Sequence, residues 1–413
     1  MRKKISSVLQ GQLEENFGRK IMTSKDCQEL SESIFLEVGE KIHPNTLRRF
    51  FGLVKAAHLP SKFTLEVFAR YCGYQNLQEL PEDVAESNDV NVSAADLLHL
   101  LTDLFATNAS SSDDSFLQQT SLIVRFLSSH PSLANKFHKE IAKTVNGQKY
   151  YFEQFIQFDR LNSSFGDGLN YYLKEKKTKE AQIFGHSLLA FRYWLTMDNE
   201  MFKRHYKDLT RYEPDHTIHP FVSGRYFATC LFHYHIKERK ATEILEKAQE
   251  FYKNVRPPAD KYADFPCFEL TFSEGLALTG YHAEALTYLD EVGPLESDDE
   301  IICNDLVQQI NLIRAYCLSH VGAKKEAQQL LETTPPSNYY FISRKYKTLL
   351  YLLTTRNISK NYNSKIDQQI EHLIEKRVIS GSKNFMIAGV LCLLGNCLNL
   401  ASDIPSLFTC MCG

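Results

Sequence analysis

The sequence predicts an all-α chain, a small amino-terminal helical bundle followed by a stack of helical repeats. Three observations predict it. Apolar residues recur at four-residue spacing over Ile5, Leu9, Leu13 and Phe17, and again over Leu30, Ile34 and Val38, which is the buried stripe of a helix. Residues that start and stop helices flank those stripes. Beyond residue 150 a Gly, Ala and Leu pattern returns in register 42 residues later, the mark of a stacked repeat.

The bundle comes first, within residues 1–80. The stripe ending at Phe17 forms its first helix. A second begins near Ser24, because Thr23, Ser24 and Asp26 offer side-chain oxygens to unpaired backbone N–H groups and Asp26 with Glu29 has the spacing of a capping box. Gly39 stands where a left-handed cap would end that helix, and a five-residue turn runs from Gly39 to His43. Pro44 suits the first turn of the next helix, which points Leu47, Phe50 and Phe51 inward and Asn45, Arg48 and Arg49 outward. A further helix follows Pro60 and Ser61.

Two helices joined by such a turn, the second short and studded with arginine, form a helix-turn-helix. Leu30-Ser31, Gly39, Thr46-Leu47-x-Arg49, Gly52 and Pro60-Ser61-x-x-Thr64-Leu65-x-x-x-Ala69-x-x-x-Gly73 resemble the lambda-repressor-like, or Xre-type, helix-turn-helix family over about one fifth of the chain. The turn of that family is commonly about three residues, shorter than this one. The resemblance implies DNA binding, with the helix from Pro44 in the major groove and the start of the Ser24 helix against phosphates. Chemistry then divides the residues. Arg48 and Arg49 can pair with guanine and Asn45 with adenine, so these three are the candidate base readers. Ser24, Lys25, Lys41 and Lys62 suit phosphates. Residues 1–80 hold 12 Lys and Arg against 9 Asp and Glu, net +3, which is mild for a phosphate-binding unit. A homodimer on a two-fold site in double-stranded DNA is therefore expected.

Residues 81–148 form an acidic linker with connecting helices. From Tyr71 to Val124 there is no Lys or Arg, and nine acidic residues give net −9. Ser87 to Ser93 and Thr107 to Ser115 have linker composition, while Leu97, Leu98, Leu100, Leu101 and Leu104 between them predict a helix. A run of this kind is a solvated connector more often than an arm folded back on the basic head.

Residues 149–378 carry the repeats. Gly280-Tyr281-His282-Ala283-Glu284-Ala285-x-x-x-Leu289 and Gly322-Ala323-Lys324-Lys325-Glu326-Ala327-x-x-x-Leu331 share one register, and Glu180-Ala181, Glu200-Met201 and Ala241-x-x-x-Leu245 mark earlier helices. Helix pairs that bury their apolar stripes only against the next pair build an α-solenoid. The run Leu278-x-Gly280-x-x-x-Glu284-Ala285-x-x-x-Leu289 resembles the second half of a tetratricopeptide repeat, though the spacing exceeds the usual thirty-four. This resemblance implies a groove that receives a peptide or protein ligand. Aromatic clusters at Tyr150 to Phe158, Tyr171-Tyr172 and Phe191 to Trp194 could line it, but stripes of this kind usually belong to the core. Residues 379–413 are read as a capping helix and tail, with Phe385 to Leu394 too short to span a bilayer.

Composition bounds the function. With 43% apolar and 23% charged residues over 413 positions, the chain can bury two or three cores, and it is neither fibrous nor wholly disordered. Met1-Arg2-Lys3-Lys4 leads into Ile5 to Gln12, too polar for a signal sequence, so a cytoplasmic protein without membrane contact is expected. Ten cysteines without a CxxC suggest reduced structural thiols, and Gly413 is a poor final residue for prenylation at Cys410. Phosphate-cradling, dinucleotide, HExxH and GxSxG motifs are absent, so neither an enzyme nor a cofactor is expected. Asp215, His216 and His219 with His233 and His235 hold metal-ligand types, but Pro214 and Pro220 confine the first group to a loop and His233 and His235 diverge on a helix. Two functions follow. One is a transcriptional regulator whose body senses a peptide or protein, as in regulators that join an Xre-type head to a tetratricopeptide body. The other is a non-enzymatic protein–protein interaction scaffold whose bundle does not bind DNA.

Overall fold

The structure is a computed structural model, which describes residues 2–17, 20–55, 60–72, 74, 77, 94–106, 113–128, 130–254, 267–292, 300–359, 366–370 and 373. Among the described residues every regular element is a helix, so the all-α class holds. The expected capping helix over 379–413 and the segment 81–93 lie outside the described residues.

Four helices build the head: α1 Arg2–Phe17, α2 Ser24–Val38, α3 Pro44–Phe50 and α4 Lys62–Tyr71. Leu9, Leu13, Leu30, Ile34, Leu47 and Phe68 are buried in a core of their own, and Phe50 meets Phe68 at 4.7 Å between ring centroids. The capping box at α2 sits one turn earlier than Asp26 with Glu29. Thr23 Oγ1 accepts from the Asp26 N–H at 3.2 Å, and Asp26 Oδ2 accepts from the Thr23 N–H at 2.7 Å. The hydroxyl of Thr23 lies outside the first turn, where it can reach back to an orphan donor.

Gly39 ends α2 at φ 79°, with its N–H donating to the Phe35 carbonyl. A side chain there is strained whatever the space, because its Cβ crowds the following carbonyl. Gly11, in contrast, is exposed on α1 with open space around it. Opposite effects are therefore expected from one chemical change. Gly39→Ala should destabilise the head by about 1 kcal/mol and Gly11→Ala stabilise it by a similar amount, both readable by urea unfolding.

Beyond the head come α5 Ala94–Ala106, α6 Asp113–Ser128 and α7 Pro131–Ile141, then a π-helical turn Gly147–Glu153 and a short 3-10 turn Phe158–Arg160. The series continues with α8 Ser164–Glu175, α9 Lys179–Leu195, α10 Asn199–Leu209, α11 Pro220–Ile236 and α12 Thr242–Asn254. It closes with α13 Phe268–Leu278, α14 His282–Asp290, α15 Glu300–His320, α16 Lys324–Thr333 and α17 Arg344–Ile358. α9, α11, α13, α15 and α17 neighbour one another in that order, while α10, α14 and α16 each fold back on the helix before them.

Gly280 and Gly322 both adopt left-handed backbone, at φ 90° and 94°, and Ala285 and Ala327 are both fully buried, so the two sequence copies share one local structure. Close approach elsewhere depends on missing side chains. A Cβ on Gly275 would lie 2.5 Å from Ala228 Cβ, which sets how near α11 comes to α13. All eleven residues of α13 are buried. That follows from its place between α11 and α15 with α14 across it.

The aromatic clusters are core. Tyr150, Tyr151, Phe152, Phe155, Tyr172, Phe191 and Trp194 are buried, and Phe158 stacks on Tyr346 of α17 at 5.5 Å. Asp159 joins distant parts of the body, accepting at 2.9 Å from the backbone N–H groups of both Lys345 and Tyr346, the first turn of α17. Head and body meet at Arg125 of α6, whose guanidinium lies 5.7 Å from the Tyr74 ring and 4.9 Å from that of Phe341.

Candidate nucleic-acid interface

α3 is placed by its two ends. His43 Nδ1 accepts from the Asn45 N–H at 3.1 Å, and Pro44 takes the first helical position, where a missing N–H costs nothing. The turn before it is held by Ser31, whose hydroxyl donates to the Ile42 carbonyl. Leu47 and Phe50 are buried against the head, as the spacing requires, while Phe51 is only half-buried.

Asn45 and Arg49 are exposed on the outward face of α3. Arg48 departs from its expected place. It is half-buried, its Nη1 donates to Asn45 Oδ1 at 3.0 Å, and its buried Nε has no hydrogen-bond partner. Its charge also reaches back to α2, where burial pushes the Cys27 thiol up and Arg48 opposes that rise. The three residues assigned to base reading thus divide into one free arginine, Arg49, and a bonded pair.

Ser24, Lys25, Lys41 and Lys62 are all exposed. Ser24 and Lys25 open α2, Lys41 lies in the turn, and Lys62 opens α4. Glu40 faces Arg70 across the turn at 3.8 Å, a long and partly solvated pair worth little by itself. Thr23, one of the three residues expected to offer an oxygen at the start of α2, is the one that caps that helix. Phe63, 55% exposed beside Lys62, and Leu53 and Val54 in the turn after α3 are apolar residues left exposed on the head, which the sequence did not single out.

The histidine-rich stretch does not converge. His219 Nδ1 caps α11 by accepting from the Phe221 N–H, Asp215 binds Lys179 at 2.7 Å, and His233 stacks on Tyr206 at 3.9 Å. Burial lowers His219 and His233, each to about 4, which suits neutral packed rings. Among the described residues no three His, Cys, Asp or Glu side chains gather to hold a metal, and no helix is long and apolar enough to cross a membrane. No family model, curated protein or solved structure matches the chain.

Proposed function

We propose that the chain is a DNA-binding transcriptional regulator whose helical-repeat body senses a peptide or protein partner. The observation that carries this reading is α3 itself, a short helix set by a fixed turn against α2, with Asn45 and Arg49 outward and Lys25, Lys41 and Lys62 exposed around it. Arg49 reads a guanine, the three lysines and Ser24 hold phosphates, and the mild +3 charge of the head is doubled in a cytoplasmic homodimer. No chemistry is assigned to the chain, so the proposal is of a non-enzymatic protein without a cofactor.

Selection of bound sequences from a random duplex library tests it. Arg49→Ala should cost about 1–3 kcal/mol at the preferred base and flatten the selected motif, while Lys25→Ala should weaken all sequences alike. Equal losses on selected and random duplex would remove the base-reading role.

A second reading, an interaction scaffold, draws on different observations. Arg48 donates to Asn45, Leu53 and Val54 expose apolar surface in the turn after α3, and Phe63 does so at the start of α4. On that reading the head meets a protein, and the library yields no enriched motif.

A further inference from the structure

The described residues carry a second concentration of positive charge, far from α3 in the sequence. Residues 174–211 contain 9 Lys and Arg against 5 Asp and Glu, net +4, in a chain whose total is −3. The register of α10 gathers part of it. Phe202, His205 and Leu209 face the core, so Lys203, Arg204, Lys207 and, just past the helix end, Arg211 fall on the opposite side and are exposed. The helix that carries this strip, eleven residues at 1.5 Å each, is about 16 Å long.

Basic turns adjoin it at both ends. His186 of α9 lies 3.0 Å from His205 of α10 and feels the charges of Asp208, Arg211, Lys177 and Arg204, which places the turn before α9 beside the end of α10. Lys174 and Lys177 are exposed there. At the other end His233 stacks on Tyr206 and feels Lys237 and Arg239, so the exposed turn Lys237-Glu238-Arg239-Lys240 flanks the start of α10. Part of this charge is neutralised, Lys203 by Glu200 at 2.7 Å, Arg211 by Asp208 at 3.1 Å, Lys179 by Asp215 at 2.7 Å, Lys176 by Glu153 at 2.5 Å and Arg192 by Asp167 at 3.0 Å. Lys174, Lys177, Arg204, Lys207, Lys237, Arg239 and Lys240 make no ion pair among the described residues, Lys177 donating instead to the Leu173 carbonyl.

We propose that the outward face of α10, with the basic turns at its two ends, docks on the phosphates of duplex DNA beyond the segment met by the head. The proposal rests on the DNA-binding reading for its ligand. The composition of the band decides against a protein partner. Protein interfaces are centred on aromatic and aliphatic anchors and are poor in lysine, whereas between residues 174 and 240 the only exposed large apolar residue among those described is Met197. Flexible lysines strung along a helix suit a regular row of phosphates. Such a band also supplies what the head lacks, because +3 is little charge to hold DNA at physiological salt.

The test uses full-length protein with Arg204 and Lys207 both changed to alanine, beside Arg49→Ala, with circular dichroism and thermal melting as fold controls. Binding to a short random-sequence duplex is followed by fluorescence anisotropy over a salt series. Losing two phosphate contacts should flatten the log–log salt slope by nearly two, at about 0.9 per contact, and weaken random-duplex binding roughly tenfold. Arg49→Ala should leave most of that random-sequence binding intact. A wild-type slope in the α10 variant overturns the proposal, and so does full-length protein that binds no duplex at low salt. Loss of binding to poly-glutamate but not to duplex would reassign the band to an acidic polypeptide, again overturning it. If the α10 variant loses random duplex while library selection finds no motif that Arg49→Ala abolishes, the band stands and the base-reading head falls.

Discussion

Replacing Arg225 by alanine is expected to destabilise the body by about 3–5 kcal/mol, the usual result when one member of a buried ion pair is removed. Arg225 is 2% exposed on α11, and its Nη2 lies 2.7 Å from Glu274 Oε2 of α13, itself 1% exposed. The guanidinium faces the rings of Phe158, Phe191 and Phe221 at 5.1–5.6 Å, and the Tyr346 hydroxyl donates to Glu274 Oε1 at 3.0 Å. Taking away the cation leaves Glu274 buried with a single phenol for company. Carboxylates in that position bind a proton or draw in water, and either disrupts the helix row. Replacing both charges, Arg225→Met with Glu274→Leu, should recover most of the loss, since the pair gains little beyond its own desolvation. Urea unfolding followed through Trp194, which stacks on Phe232 in the same row, reads both variants. An alanine variant within 0.5 kcal/mol of the parent would mean that the pair is hydrated in solution.

That pair marks the boundary between what the sequence reveals and what it hides. The head is legible because its determinants are local. Gly39, Pro44 and Ser61 each impose a backbone geometry on their immediate neighbours, and the Leu9 to Phe17 and Leu30 to Val38 stripes state which face is buried. The repeat copies at Gly280 and Gly322 are legible for the same reason. Arg225 meets Glu274 across 49 positions, and no spacing rule connects them. A weaker signal existed. Between Pro220 and Ile236 the lone charged residue is Arg225, and a single cation in an otherwise apolar helix calls for a buried anion on a neighbour. Arg48 escaped for another reason. Its register on α3 is outward, as periodicity says, but a long side chain can lie back along its own helix, and here it reaches Asn45. The candidate site is thus readable as a helix face and unreadable as a set of free donors.

Acid should weaken the body from about pH 6.5 downward, before most carboxylates take a proton. His138 is fully buried, with Nδ1 3.0 Å from the Ser164 carbonyl and Nε2 2.7 Å from the Tyr151 hydroxyl. Burial holds its pKa down to about 3, the Ser164 carbonyl pulling the other way and the Arg160 charge adding a smaller downward push. His205 is held to about 4, by burial first and then by its neighbour His186, and His282 to about 4 by burial and the adjoining His320. Each of these histidines takes a proton near pH 6.5 once unfolded but resists it when folded. The unfolded chain therefore binds more protons below pH 6.5, and stability present above that pH is lost as pH falls toward about 4. At pH 5 a ring as buried as His138 alone costs about 2 kcal/mol, since each unit below the unfolded value is worth about 1.4 kcal/mol. Asp159 acts in the opposite sense, because burial raises its carboxyl, but it is one group against several. Urea unfolding at pH 7 and pH 5 should accordingly show the Trp194 signal losing stability. His138→Gln should shrink the difference between the two pH values by about 2 kcal/mol, whatever it costs at pH 7. A Trp194 transition that does not move between pH 7 and pH 5 would show that these rings are open to water in solution.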